Sequence, residues 1–338
     1  MARPRIVNVT GGRRVAKVWT DEFVAALEAR GDLTLHTETG PLDDDELTEI
    51  VGAHDVAIVG WDAHPLPASL ATARGDLAYV CCYSGTIRSL VPRELVEAGV
   101  PVSNWGELPA QGIAESAMTL LLACVHDLGV IRRAQRAGEW GFDTSRVGTL
   151  AGLRVGIHGL GVIGHRFVEM LRPFGAHVRA HDPYVAELPP GVERAHTVDE
   201  LCDWADALVI YAGLTDETAG SVGLGQLARL PDGGIVVNTA RGAIIDQEAL
   251  FAELATGRLR AGLDVLEPDG VLDPAHPLRQ ADNVTFSFHR LTFEGGDDWP
   301  PRPGLTRMQQ LVVDQLDRFA AGDEPWFVFD TDRYDRST

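Results

Sequence analysis

Lysine is nearly missing from this chain: of 29 basic side chains only Lys17 is a lysine, and 49 acidic side chains outweigh them. The net charge of −20 leaves no basic footprint for phosphate backbones, so no nucleic-acid partner is expected. The one local cluster, Arg132, Arg133 and Arg136, falls on a helical stretch and reads as a solvated face. Cysteine is scarce too. Cys81, Cys82, Cys124 and Cys202 have no zinc or iron–sulfur spacing, so no metal site is expected and buried, reduced thiols are. Long apolar runs are lacking. The greasiest, Ala117 to Val125, is interrupted by Thr119 and falls far short of the roughly 20 residues of a span, so no membrane partner is expected. The opening Met1-Ala2-Arg3-Pro4-Arg5 leads into Ile6–Val9, which reads as a first strand rather than a signal peptide, and the expected location is the cytoplasm.

What is present is ordinary globular composition, 45% hydrophobic and 23% charged, over 338 residues, a length that suggests two lobes. Short apolar runs at Arg5–Val9, Leu33–His36, Val56–Val59 and Leu77–Cys82 alternate with helical spacing at Asp21–Arg30 and Asp43–Gly52, a βαβ pattern and hence a parallel sheet. Val100–Ser103 adds a further strand-like piece, and one long helix is expected from Gln111 to Gly138. A second βαβ series follows, with strands at Arg154–His158, His177–His181, Ala207–Tyr211, Ile235–Asn238, Ala261–Val265 and Val284–Phe286. Asp246–Thr256 reads as a helix closed by Gly257, and Leu305–Ala321 as one ended by Gly322.

In the second series, Gly159-Leu160-Gly161-Val162-Ile163-Gly164 follows a strand and opens a helix expected to turn Val162, Phe167, Val168 and Leu171 inward. The three glycines suit a tight turn, close backbone approach to a pyrophosphate, and helix–strand packing. The helix N-terminus offers N–H groups and a positive dipole end to the phosphates. Asp182, 18 residues after Gly164 and followed by Pro183, can accept from a ribose diol and would repel a 2′-phosphate. That pattern indicates a nicotinamide dinucleotide, NAD in preference to NADP.

Downstream, one strand runs into Thr239-Ala240-Arg241-Gly242, the next into Asp264 with Glu267 and Asp269 beyond, and a third into His289. Ligands of open α/β sheets bind beyond the carboxyl strand ends, so Arg, acid and His are expected to converge. Beside a nicotinamide, that trio suggests reduction of a carbonyl next to a carboxylate.

These segments, with Leu214-Thr215-Asp216-Glu217-Thr218, Leu263-Asp264-Val265 and Ala114-Glu115, resemble the D-isomer-specific 2-hydroxyacid dehydrogenase family, most strongly from Ala151 to Val265. The resemblance implies a Rossmann-type doubly wound parallel sheet plus a flavodoxin-like α/β substrate domain. The expected domains are 1–105 and 291–338 for the substrate and 106–290 for the cofactor, with the long helix making a homodimer contact. It implies that Arg241 holds a small anionic substrate, that His289 is the acid/base, and that a carboxylate orients the imidazole. Asp264, with Thr239 and Ala240, would bind the carboxamide, and Val162, Ile163 and Thr215 would line the rest of the cofactor site. Ser84, Gly85 and Thr86 would form the substrate-side turn.

The chain departs from the family pattern at three places. The imidazole partner, a glutamate before proline in the family, is here Asp269 before Gly270; Glu267 competes, and register favours Asp269. His289 sits between Phe288 and Arg290, and residues 293–301 look inserted before the last helix. The substrate-side turn reads Cys81-Cys82-Tyr83-Ser84-Gly85-Thr86-Ile87-Arg88, in which Arg88 either meets an anion or braces the loop; Trp61 and Asp62 either line the outer pocket or form an exposed turn. The expected reaction is hydride transfer between NAD and C2 of a 2-oxo or 2-hydroxy acid. The alternatives are a hydroxyphosphonate dehydrogenase and an NAD(H)-sensing protein without turnover.

Overall fold

A computed structural model describes residues 3–9, 18–36, 42–61, 63–85, 87–140, 147–270, 272–289 and 303–336. These residues form two compact units: 3–108 with 303–336, and 109–289. Asp62, Thr86, Arg290 and the 293–301 segment lie outside the described residues.

The first unit is built from β1 (Arg5–Asn8), α1 (Asp21–Glu28), β2 (Asp32–Leu35), α2 (Asp44–Gly52), β3 (Val56–Val59), β4 (Tyr79–Cys82), α3 (Arg93–Glu97) and β5 (Val102–Ser103). All its strand pairs are parallel, in the order β2-β1-β3-β4-β5, the flavodoxin-like arrangement. Strands β3 and β4 are buried at every position, as a sheet covered on both faces requires.

The second unit contains α4 (Ala110–Val125), α5 (Leu128–Ala137), β6 (Arg154–His158), α6 (Val162–Leu171), β7 (His177–His181), β8 (Val192–Arg194) and α7 (Val198–Trp204). It continues with β9 (Ala207–Ile210), α8 (Leu224–Arg229), β10 (Ile235–Asn238), α9 (Gln247–Thr256), β11 (Arg260–Leu263) and β12 (Val284–Phe286). Its sheet runs β12-β11-β10-β9-β6-β7-β8, so strand order reverses between β6 and β9, the switch point at which such sheets bind dinucleotides. Successive residues of β9 feed two cores: Ala207 and Val209 join Val155, Phe167 and Leu121, whereas Leu208 and Ile210 join Val236, Ile244 and Leu254.

The chain then returns to the first unit through α10 (Arg307–Ala321) and α11 (Thr331–Arg336), where Phe329 and Tyr334 join its core. A capping box of Thr306 and Gln309 opens α10, and Gly322, at φ +81°, closes it.

Two expectations are corrected. The single helix over Gln111–Gly138 is two, bent by 61° where Asp127 takes a left-handed φ of +55° that no helix interior tolerates. Beyond the bend Leu128, the first residue of α5, is exposed. Val162 does not turn inward; as the first residue of α6 it is 44% exposed, while Phe167, Val168 and Leu171 are buried. Strand β8 was not foreseen, because three residues of the form Val-Glu-Arg carry no apolar run.

Candidate active site

Register sets the level of every loop in the second unit. His181, His158, Ile210, Asn238, Leu263 and Phe286 are successive cross-strand partners, so the segments that follow them leave the sheet in one row. That row carries Asp182, Gly159, Thr239, Asp264 and Ser287.

The glycine loop begins with Gly159 at φ +93°, where a Cβ would lie 2.3 Å from the backbone nitrogen of Ala212. A Cβ on Gly164 would come within 2.8 Å of the Gly159 carbonyl, so the helix packs directly on the turn. Around Gly161 a Cβ would meet nothing within 4 Å; the space beside this N-cap, at the start of α6, is open. Tight packing behind and free space in front fit a pyrophosphate at a helix N-terminus. Asp182 closes the loop: its Oδ2 accepts from Leu160 N–H at 2.7 Å and its Oδ1 from Tyr184 N–H at 2.9 Å. Pro183 is exposed, and Thr215 begins a turn in which its N–H donates to Thr218 Oγ1 at 2.8 Å.

Beneath this loop, the His158 and His181 rings stack with centroids 5.6 Å apart. Burial, reinforced by His181, lowers the pKa of His158 to about 4.

Further along the row, Asn238 ties down the next loop. Its side chain donates to the Arg241 carbonyl at 2.9 Å and accepts from Ala240 N–H at 3.0 Å. The Arg241 guanidinium donates to the Ala240 carbonyl at 2.8 Å. Burial pulls its pKa below the ordinary value, while the charge of Asp269 opposes that shift. Asp264 is 1% exposed; its Oδ1 accepts from Ser287 Oγ at 2.5 Å and its carbonyl from His289 N–H at 2.6 Å. Asp264 Oδ2 and Thr239 Oγ1 are buried with no hydrogen-bond partner among the described residues. Buried polar atoms are rarely left so, and an acceptor beside a hydroxyl fits a carboxamide. The site thus passes two tests for a nicotinamide dinucleotide: a cradle with room for phosphate and orphaned atoms suited to its amide.

His289 Nδ1 lies 2.6 Å from Asp269 Oδ2, and both side chains are partly open to solvent. Glu267 is not the partner. Its exposed backbone is held instead by Gln247, whose amide donates to the Glu267 carbonyl at 2.8 Å and accepts from its N–H at 2.9 Å. Gly242 lets the same loop pass closely, since a Cβ there would lie 2.2 Å from the Leu266 carbonyl carbon. The two contacts pin the loop on which the shorter aspartate reaches the imidazole. Phe288 and His289 take φ of +51° and +56°, left-handed values that cost such residues about 1–3 kcal/mol each. The His289–Asp264 hydrogen bond and the stacking of Phe288 on Phe286, centroids 5.5 Å apart, hold them there.

The second unit therefore assembles Arg241, Asp269 and His289 with Thr239, Ala240 and Asp264, and its glycine loop with Asp182. Ser84 and Gly85 belong to the first unit. Ser84 is buried with Oγ 3.2 Å from Cys82 Sγ, so its side chain turns inward and the turn offers backbone rather than hydroxyl. Arg88 is exposed, while Asp335 pairs with Arg93, whose Nε donates to it at 2.8 Å. Gln247 and Ser287 were missed from sequence; their partners lie 20 and 23 residues away, and no local pattern announces such pairs.

A family model described as "D-isomer specific 2-hydroxyacid dehydrogenase, NAD binding domain" matches residues 118–290, just over half of the chain. The chain belongs to this family. It is accordingly a nicotinamide-dependent oxidoreductase acting on CH–OH. Among curated members it is 31% identical to a hydroxypyruvate reductase of Thermotoga maritima, over 73% of this chain and 81% of that one. It is 33% identical to a D-3-phosphoglycerate dehydrogenase of Methanocaldococcus jannaschii over 57% of this chain, which spans only 37% of that longer relative. A solved family member from Xanthobacter autotrophicus, in complex with NADPH and MES, superposes with TM-score 0.73 at 25% identity, covering 98% of this chain and 99% of that one. No single helix among the described residues of this dehydrogenase is long and apolar enough to cross a membrane.

Proposed function

We propose that the protein interconverts a 2-oxo acid and its 2-hydroxy acid with NAD, the second unit holding cofactor and reacting groups and the first recognising substrate. The observation that carries this reading is the His289–Asp269 pair beside the half-buried Arg241. When bound, the nicotinamide dinucleotide supplies or accepts the hydride at C2. Arg241, desolvated and always cationic, holds the acid's carboxylate and polarises its carbonyl oxygen. His289 gives the proton that completes the alkoxide, or takes it from the alcohol in reverse. Asp269 fixes the imidazole tautomer through Nδ1, leaving Nε2 for the substrate oxygen, and stabilises the imidazolium. Asp264 and Thr239 orient the carboxamide, Val162, Ile163, Pro183 and Thr215 line the cofactor site, and Asp182 disfavours a 2′-phosphate.

The working form in this reading is a cytoplasmic homodimer. Leu128 and Ile131, three residues apart on α5, are exposed apolar side chains that a second copy would cover, and four free, buried cysteines suit a reducing compartment.

Steady-state reduction of a panel of 2-oxo acids with NADH and NADPH tests the proposal. NADH is the better reductant, and His289→Ala lowers kcat by about 10²–10⁴-fold with the protein still folded. Full activity in that variant, or no turnover of any oxo acid by the wild type, would overturn it.

A further inference from the structure

The first unit ends its sheet in aromatic rings. Trp61 follows β3, Tyr83 follows β4 and Trp105 follows β5, all at the carboxyl edge where open α/β sheets take ligands. Trp61 packs edge-on against Tyr83 (centroids 5.7 Å apart, 69°) and against Trp105 (5.1 Å, 68°). Tyr83 in turn meets Trp19 at 6.3 Å, and Trp19 meets the core residue Phe23 at 5.2 Å. Five rings thus run from the core to Trp61 and Trp105, which are only half-buried.

Two glycines make room for them. A Cβ on Gly60 would lie 2.0 Å from the Tyr83 ring, and one on Gly85 would lie 2.9 Å from the Trp105 indole. Neither loop could carry a side chain there without displacing an aromatic ring. Gly85 also belongs to the turn assigned above to substrate recognition, so the Trp105 indole stands beside that backbone. Asn104 braces that turn, its amide donating to the Gly85 carbonyl at 3.4 Å and accepting from Gly106 N–H at 2.9 Å.

We propose that Trp61 and Trp105 form the wall against which the substrate's side chain rests, and that this side chain is aromatic or bulky and apolar. The inference rests on the oxo-acid reading above and adds the substrate class to it. Uncharged rings offer a side-chain phosphate nothing to pair with. Glyoxylate, with no side chain, would leave both indoles facing water. A phenyl group meets them edge or face, the geometry aromatic pairs prefer.

The test compares NADH-dependent kcat/KM for phenylpyruvate, hydroxypyruvate, 3-phosphohydroxypyruvate and glyoxylate. Phenylpyruvate should exceed glyoxylate by about 100-fold, since each well-packed apolar increment adds roughly ten- to 200-fold. Trp61→Ala should cut the phenylpyruvate-to-glyoxylate ratio at least tenfold, on the same scale, and Trp61→Phe should keep most of it. A wild type that prefers glyoxylate or the phosphorylated acid overturns the inference while leaving the oxo-acid reading intact, as does an unchanged ratio in Trp61→Ala. If no oxo acid is turned over, the oxo-acid reading fails, and indole fluorescence of the NAD-loaded protein then decides the inference by itself. A saturable change with phenyllactate, absent with lactate and smaller in Trp61→Phe, supports the wall; no change overturns it.

Discussion

Both units are parallel sheets whose functional loops leave the carboxyl ends of the strands, yet the two edges carry opposite chemistry. At the edge of the second unit stand a guanidinium, an imidazole, two carboxylates and a glycine cradle. At the edge of the first stand Trp61, Tyr83 and Trp105, packed on two glycines. On the proposed function, one edge moves charge and the other presents shape. The reaction and the choice of substrate can therefore be altered separately, and variants at the two edges should fail in different ways.

The largest effect separates the two kinds of failure. Arg241→Ala should lower kcat/KM by about 10³-fold, the cost of losing one fixed donor at a developing oxyanion, and by the same factor for every oxo acid. Loss confined to one acid would place Arg241 in specificity and break the division. A smaller effect comes from the clamp on the Asp269 loop. Gln247→Ala frees the Glu267 backbone and should lower kcat roughly tenfold, short of the 100-fold that a 1 Å misplacement can cause, with KM for NADH unchanged. A KM effect alone would move Gln247 to the cofactor site.

The smallest effect concerns stability alone. His158 is buried neutral, with its pKa lowered from 6.5 to about 4, so the unfolded chain binds its proton first as pH falls. Its contribution is whole above the unfolded value and is lost as pH falls from 6.5 toward 4. Between pH 7 and pH 5 this removes roughly 2 kcal/mol from the second unit, and His158→Phe should flatten that part of the Tm–pH curve. An equal slope in the variant would assign the acid sensitivity elsewhere.

Sequence carried far more of the second edge than of the first. Gly159 and Gly164 are readable because a tight turn and a close helix packing exclude side chains, Gly161 because its spacing between them matches the fingerprint, and strand and helix signals frame all three. Arg241, Asp269 and His289 are readable from their order at the ends of successive apolar runs. What escaped was decided through space: the Gln247 amide bracketing a peptide 20 residues on, and Ser287 on Asp264. The inward reading of Val162 failed because periodicity does not show where a helix stops being covered, and the bend at Asp127 failed because Asp does not announce a left-handed backbone as glycine does. At the first edge, Trp61 could be named but not placed, and Trp105 was passed over, since ring-to-ring contact across three strand ends has no linear pattern.

The return of α10 and α11 to the first unit has a consequence for how the protein is made. The second unit is an uninterrupted stretch of chain, and all its strands have been synthesised once Phe286 has left the ribosome. The first unit must wait: Gln315 caps its interior by donating to Ser103 and to the Trp326 carbonyl, and Val328 pairs with the last residue of β5. Its aromatic edge therefore belongs to the half with the most distant contacts, the half that on general grounds forms last and stays open to aggregation longest. The sheet that carries those rings is completed only when the last segment of the chain arrives.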